Sequence, residues 1–157
     1  MPNKPIFQAR ASLIDRLTDL HPESKQEIQP LRTLNRRNLK ASLRRDLSWL
    51  LNTRTPIPAS VFDDKKLTVL DYGIPDFGSY GTANLDDQTL LVKRITKAIS
   101  AFEPRLRNVR IDVGPKTNEK TLYMAINALM IVESVREPVF FQTVFQKQTN
   151  EWNVNDS

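Results

Sequence analysis

Three groups of side chains in this sequence have the types and spacing to do chemistry. The first is Glu103-Pro104-Arg105, a carboxylate and a guanidinium separated by one proline. If residues 103–105 are extended, both charges lie on one side and form a presentable pair. Glu103 ends a helical pattern, where the bare carbonyls of a helix C-terminus disfavour a carboxylate. A solvated pair of this kind is worth only ~0–1 kcal/mol, so it is either a mere stop signal or something a partner reads. The second group is the carboxylates Asp71, Asp76 and Glu103. Glycoside hydrolysis needs two such acids across a cleft, one of them kept protonated by an apolar pocket. Asp71 and Asp76 sit in a turn-rich string, and Glu103 has a cation two residues away, a poor setting for a general acid. The third group is a basic line, Arg36, Lys40 and Arg44, at helical spacing. Between Arg32 and Arg54 stand seven basic residues and one acid, Asp46. Such a face suits nucleic acid or an acidic protein, or it is simply a solvated face; no aromatics interleave it.

Much other chemistry is excluded by composition. The 157 residues contain one histidine, His21, and no cysteine. A histidine-based triad, a multi-histidine metal site, thiolate ligands and disulfides therefore cannot be built within this chain. No cofactor motif stands out: Gly73 and Gly78 meet neither glycine-rich nucleotide pattern. Hydrophobic residues at 39% and charged residues at 26% describe an ordinary single domain, with a formal charge of +5. No apolar run approaches the ~18 residues of a membrane span, and the first residues lack the apolar segment of a secretory signal. A cytoplasmic protein is expected.

Several elements must position these groups. Ser12 and Asp15 form a capping pair for a short helix carrying Leu13, Ile14, Leu17 and Leu20, followed by a polar linker to Pro30. From about Asn35, the spacing of Leu39, Leu43, Leu47 and Leu50 predicts a longer helix with one apolar stripe. Pro56 and Pro58 keep the next piece non-helical, and residues 71–78 read as a packed corner rich in turn chemistry. A central helix carries Leu91, Ile95, Ile99 and Phe102, with Lys93, Arg94 and Lys97 off the stripe, and Pro104 stops it. Val109, Ile111 and Val113 alternate as a strand. Residues 122–132 also alternate; helix competes there, but strand is chosen because the neighbouring segments alternate too. A turn at 133–137 leads to a third strand over 139–146, and the polar tail from Thr149 frays. The expected fold is α+β, with N-terminal helices packed on a small antiparallel β-meander. The last strand is an edge, where Phe140 or Val144 invites strand addition by another chain.

Three strings together resemble one family. They are Arg44-Arg45-Asp46-Leu47-x-x-Leu50-Leu51-Asn52-Thr53-Arg54, Val69-Leu70-Asp71-Tyr72-Gly73-Ile74-Pro75-Asp76-Phe77, and Glu103-Pro104-Arg105-Leu106. In order and spacing they look like TssE, the baseplate subunit of type VI secretion within the phage "lysozyme-like" wedge family. The resemblance covers roughly residues 10–147. It implies an N-terminal extension at 1–30, a wedge domain at 31–147 and a tail at 148–157. It also implies a non-enzymatic cytoplasmic component that assembles with TssF and TssG and anchors the first layer of the contractile sheath. No small-molecule substrate, cofactor, nucleic acid or membrane insertion belongs to that role. The family associates the Glu-Pro-Arg motif, here Glu103, Pro104 and Arg105, with baseplate contacts and sheath assembly. The alternatives are a nucleic-acid-binding module using the basic helix face and a peptidoglycan muramidase.

Overall fold

The computed structural model describes residues 9–18, 22–23, 33–132 and 135–156. The leucine stripe forms the longest apolar line of the first half, as its spacing predicts. Helix α2 (Arg36–Asn52) buries Leu39, Leu43, Leu47, Leu50 and Leu51, and Asn35 caps it by accepting from the Asn38 N–H at 2.8 Å. Ahead of it lie strand β1 (Ala9–Arg10), helix α1 (Leu13–Leu17) and strand β2 (Thr33–Leu34), with β1 and β2 antiparallel. Helix α3 (Ala59–Asp64) follows Pro58 directly. The expectation of a non-helical piece here fails because proline is tolerated at a helix start, where no intrahelical N–H bond is needed. A single 3₁₀ turn, Val69–Asp71, and helix α4 (Leu85–Phe102) complete the helical layer.

Asn84 caps α4 by accepting from the Asp86 and Asp87 N–H groups, and both aspartates suit the positive end of the helix dipole. Its apolar side buries Leu91, Ile95, Ala98 and Ile99. Arg94 does not lie off this face: it is buried, gripping Asp63 with two N–H groups at 2.9 and 2.7 Å and bonding the Tyr80 hydroxyl. Lys97 donates to the carbonyls of Phe62 and Asp63 at 2.6 and 2.7 Å. Two cations of α4 thus hold α3 in place.

The sheet is antiparallel, ordered β3 (Leu106–Val113), β4 (Thr121–Val132), β5 (Val135–Gln146) and β6 (Glu151–Asp156). The expected meander is present, with one strand more than the sequence pattern suggested. In β4 every even residue from Leu122 to Val132 is buried, so the period-2 reading of that stretch holds. β5 begins at Val135, paired with Val132, so its first residues belong to the strand and not to a turn. The tail from Thr149 also departs from expectation, because Glu151–Asp156 form a strand instead of fraying. β6 pairs with residues 141–146, burying Trp152 and Val154. Trp152 packs on Phe145 and Phe77 at ring separations of 5.1 and 5.9 Å. The core lies between the inner face of this sheet and the pair α2 and α4, with α2 against β6 and α4 against β3.

The turn-rich string forms the packed corner that its composition predicts. Ile74 bonds the backbone on both sides of Arg54 beside the end of α2, its N–H donating to Thr53 O and its carbonyl accepting from the Thr55 N–H, both at 3.0 Å. Gly73 makes this approach possible, with φ at +116° and a position where a Cβ would stand 2.6 Å from Thr53 O. Gly73→Ala combines backbone strain with a backbone clash, so a loss of about 2–4 kcal/mol is expected. Urea unfolding checks this; a parent-like midpoint would show that the corner yields freely.

Candidate functional site

Glu103 takes its place from the end of α4. Its N–H still bonds Ile99 O at 2.9 Å, while Leu106 N–H returns to Glu103 O at 3.1 Å, making the turn that Pro104 directs. The Arg105 carbonyl then accepts from the Ile131 N–H at 2.9 Å, anchoring the turn to β4. The pair is formed, but across this turn and not along an extended segment, and it is not a solvated surface pair. Glu103 is 4% exposed, and both its oxygens accept from Arg105, Nε at 2.6 Å and Nη2 at 2.5 Å. Nη2 also reaches Asp46 on α2 at 2.6 Å, and Nη1 donates to the Ser42 hydroxyl at 3.0 Å. A carboxylate at a helix C-terminus is tolerable here because the fork of Arg105 is fitted to it.

The row continues. Arg45 donates to Asp46 Oδ1 through Nε at 3.0 Å and Nη2 at 2.8 Å, and to Asp15 through Nη1 at 2.7 Å. Charges therefore alternate along Asp15, Arg45, Asp46, Arg105 and Glu103. Burial opposes the charge on Arg105, but its bonds to Glu103 and Asp46 outweigh this and raise its pKa above the ordinary guanidinium value. Burial likewise opposes ionised Asp15, and hydrogen bonds from Ser12, Arg45 and Ser42 prevail, lowering its pKa from 3.8 to about 2. The unfolded chain then binds a proton at higher pH than the native one. Asp15's contribution is therefore complete above about pH 4 and is lost as the pH falls through about 2. Between those limits the protein should lose about 1–2 kcal/mol more stability than its Asp15→Asn variant does, read by urea unfolding. Parallel curves would show that Asp15 is not engaged.

Beside this row opens a cleft of about 490 Å³. Trp49, Leu50, Tyr72, Phe102 and Pro104 give it an apolar lining, with Asp46, Glu103 and Arg105 among its polar groups. Arg45 lies 4.8 Å over the Trp49 ring, and Tyr72 meets Phe102 edge-on at 5.2 Å. Burial first, then the charges of Asp46 and Glu103, raise the Tyr72 pKa and keep its hydroxyl neutral. Arg10, Ala11, Ser12 and Ile14 supply another wall, one that only Ser12 and Asp15 hinted at in the sequence.

The other predicted groups fare differently. Asp71 bonds Lys65 at 2.9 Å and caps the 3₁₀ turn through Thr68; the Lys65 bond, then that from the Thr68 backbone, lowers its pKa. Asp76 points to solvent. Of the three carboxylates, only Glu103 lines the cleft, and both its oxygens are bonded to Arg105. In the basic line, Arg36 pairs with Glu137 at 2.8 Å, and neither Lys40 nor Arg44 stands without an interaction. Val144 is paired to Asn153 of β6, so the expected open edge is covered there. Phe140 lies just beyond the β6 pairing, in a run of β5 with no described strand on that side. Pro138 removes one donor from that run. His21 lies outside the described residues. Among the described residues, no helix is long and apolar enough to cross a membrane.

Residues 37–135 match the family model described as baseplate wedge protein gp25. The chain belongs to this family. As a baseplate wedge protein it is a structural component, and its partners are proteins of a baseplate. The matched region runs from the first turn of α2 to the first residue of β5, and so includes Glu103, Pro104 and Arg105 but neither the β1–α1 segment nor β6. No curated protein matches the chain. Among solved structures, a chain of "The baseplate complex from the type VI secretion system" is 18% identical, with 70% of this chain and 96% of that chain covered and a TM-score of 0.45.

Proposed function

We propose that this wedge protein is the TssE-type subunit of a type VI secretion baseplate, assembling in the cytoplasm with TssF and TssG and anchoring the first sheath layer. One observation carries the reading. The three strings on which the resemblance rests are far apart in sequence, yet all three line one cleft. The first supplies Asp46, Leu47 and Leu50, with Trp49 at one of its open positions, the second Tyr72, the third Glu103, Pro104 and Arg105. A wedge protein has to bind neighbours, and an apolar cleft with a fixed row of charges at its floor is a surface suited to doing so. Glu103 and Arg105 act in this reading by holding the cleft's shape, and Trp49 and Tyr72 by touching the partner. The sheath contact is assigned to the uncovered run of β5 around Phe140.

Co-expression with TssF and TssG, followed by affinity purification, tests the proposal. The parent chain should co-purify with both, while Trp49→Glu, at a position 44% exposed, should fold normally and be lost from the complex. If the folded parent captures neither, the TssE assignment fails. If Trp49→Glu still assembles, the cleft is not the contact.

A further inference from the structure

Helix α1 is inside out. Its sequence offers Leu13, Ile14 and Leu17 for burial, yet these are 67%, 48% and 74% exposed, while Asp15 is turned inward. A five-residue helix cannot hold itself in water, because nucleation is too costly for so few bonds. Its capping box, with Ser12 and Asp15 bonding each other's backbone N–H, is local and ties α1 to nothing else. Two residue pairs join β1 to β2, and Ala11 is partly buried against the core. What fastens α1 to the domain is Asp15, through Arg45 at 2.7 Å and the Ser42 hydroxyl at 2.8 Å.

Those two tethers are the groups that reach Arg105. The Ser42 hydroxyl donates its one proton to Asp15 and so presents a lone pair to Arg105 Nη1. Arg45 divides its donors between Asp15 and Asp46, and Asp46 holds Arg105 Nη2. Arg10, Ala11, Ser12 and Ile14 meanwhile stand as a wall of the cleft.

We infer that the β1–α1 segment is a displaceable strap across the cleft, latched by Asp15 and coupled to Arg105 through Ser42 and Arg45. Closed, it narrows the cleft and fixes the orientation of the Arg105 fork. Open, it turns the cleft into a broader face and leaves Arg45 and Ser42 to rearrange. Polar bonds make a suitable latch because they can be exchanged one for another, whereas a buried apolar face would lock the segment shut. This inference concerns the chain alone and does not depend on which partner the cleft takes.

Hydrogen exchange on the isolated full chain tests it. The strap reporters are the amides of Arg16 and Thr18, bonded to Ser12 O and Ile14 O; the reference amides are Ile131 in β4 and Gly114, which follows β3 and bonds Tyr123 O. In the parent the strap amides should exchange far faster than the reference amides, the mark of local opening, and in Asp15→Asn about tenfold faster again. Ser42→Ala should accelerate the same amides by a smaller factor. The Arg105 Nε–H resonance should move in both variants. Strap amides exchanging at the parent rate would show that Asp15 is no latch. Strap amides as slow as the reference amides in the parent would show that the segment opens only with the global fold. An unmoved Arg105 signal would remove the coupling. Any of these results overturns the inference.

Discussion

Arg105→Ala should lower stability by about 3–5 kcal/mol, the usual cost of removing one member of a buried ion pair. The variant leaves Glu103 buried without its fork and strips Asp46 of its partner on that side. In a domain of this size such a loss lowers the melting temperature by roughly 10 °C. Glu103→Ala should cost less, because Arg105 keeps Asp46 and Ser42 and its side chain is 20% exposed. Arg105→Lys should recover only a part, since an ammonium cannot bond Glu103 in two places and Asp46 in a third. This ordering reverses what the tripeptide suggests as a surface pair, where both alanine variants would melt like the parent. Calorimetry of the isolated chain decides between them, and unchanged melting in both variants would return the motif to the surface.

Trp152→Ala should cost a similar amount, about 3–5 kcal/mol. Its ring is 2% exposed and closes the end of the core against Phe77 and Phe145. Its backbone is held as well: Asn52 accepts the Trp152 N–H at 2.8 Å and donates to its carbonyl at 2.9 Å. Removing residues 148–157 should therefore be at least as damaging, and should also bare the edge of β5 at Val144. A truncated protein that is as stable as the parent and stays monomeric would refute this account of β6. Truncation that leaves a folded but aggregating chain would fit it, since an uncovered strand invites pairing with its own kind.

The sequence by itself determined whatever depends on period and on local stereochemistry. The leucines of α2 recur at helical spacing, β4 alternates over eleven residues, Gly73 sits where the chain must turn, and Pro104 forbids the continuation of α4. In each case the cause lies within a few residues of its effect. Tertiary structure decided the rest. β6 offers only Trp152 and Val154 as an alternating signal, and their burial depends on α2 and Phe77, which lie far back in the chain. α1 carries a sound capping signal and an apolar stripe, but its orientation was set by Ser42 and Arg45, which lie 27 and 30 residues away. The Glu103–Arg105 pair was legible from spacing alone, but its burial depends on Asp46, 59 residues before Arg105. Period tells which way a side chain points relative to its neighbours along the chain. Which charge waits on the other side is fixed only when distant elements pack, and that arrangement turns an apparent surface pair into the floor of a cleft.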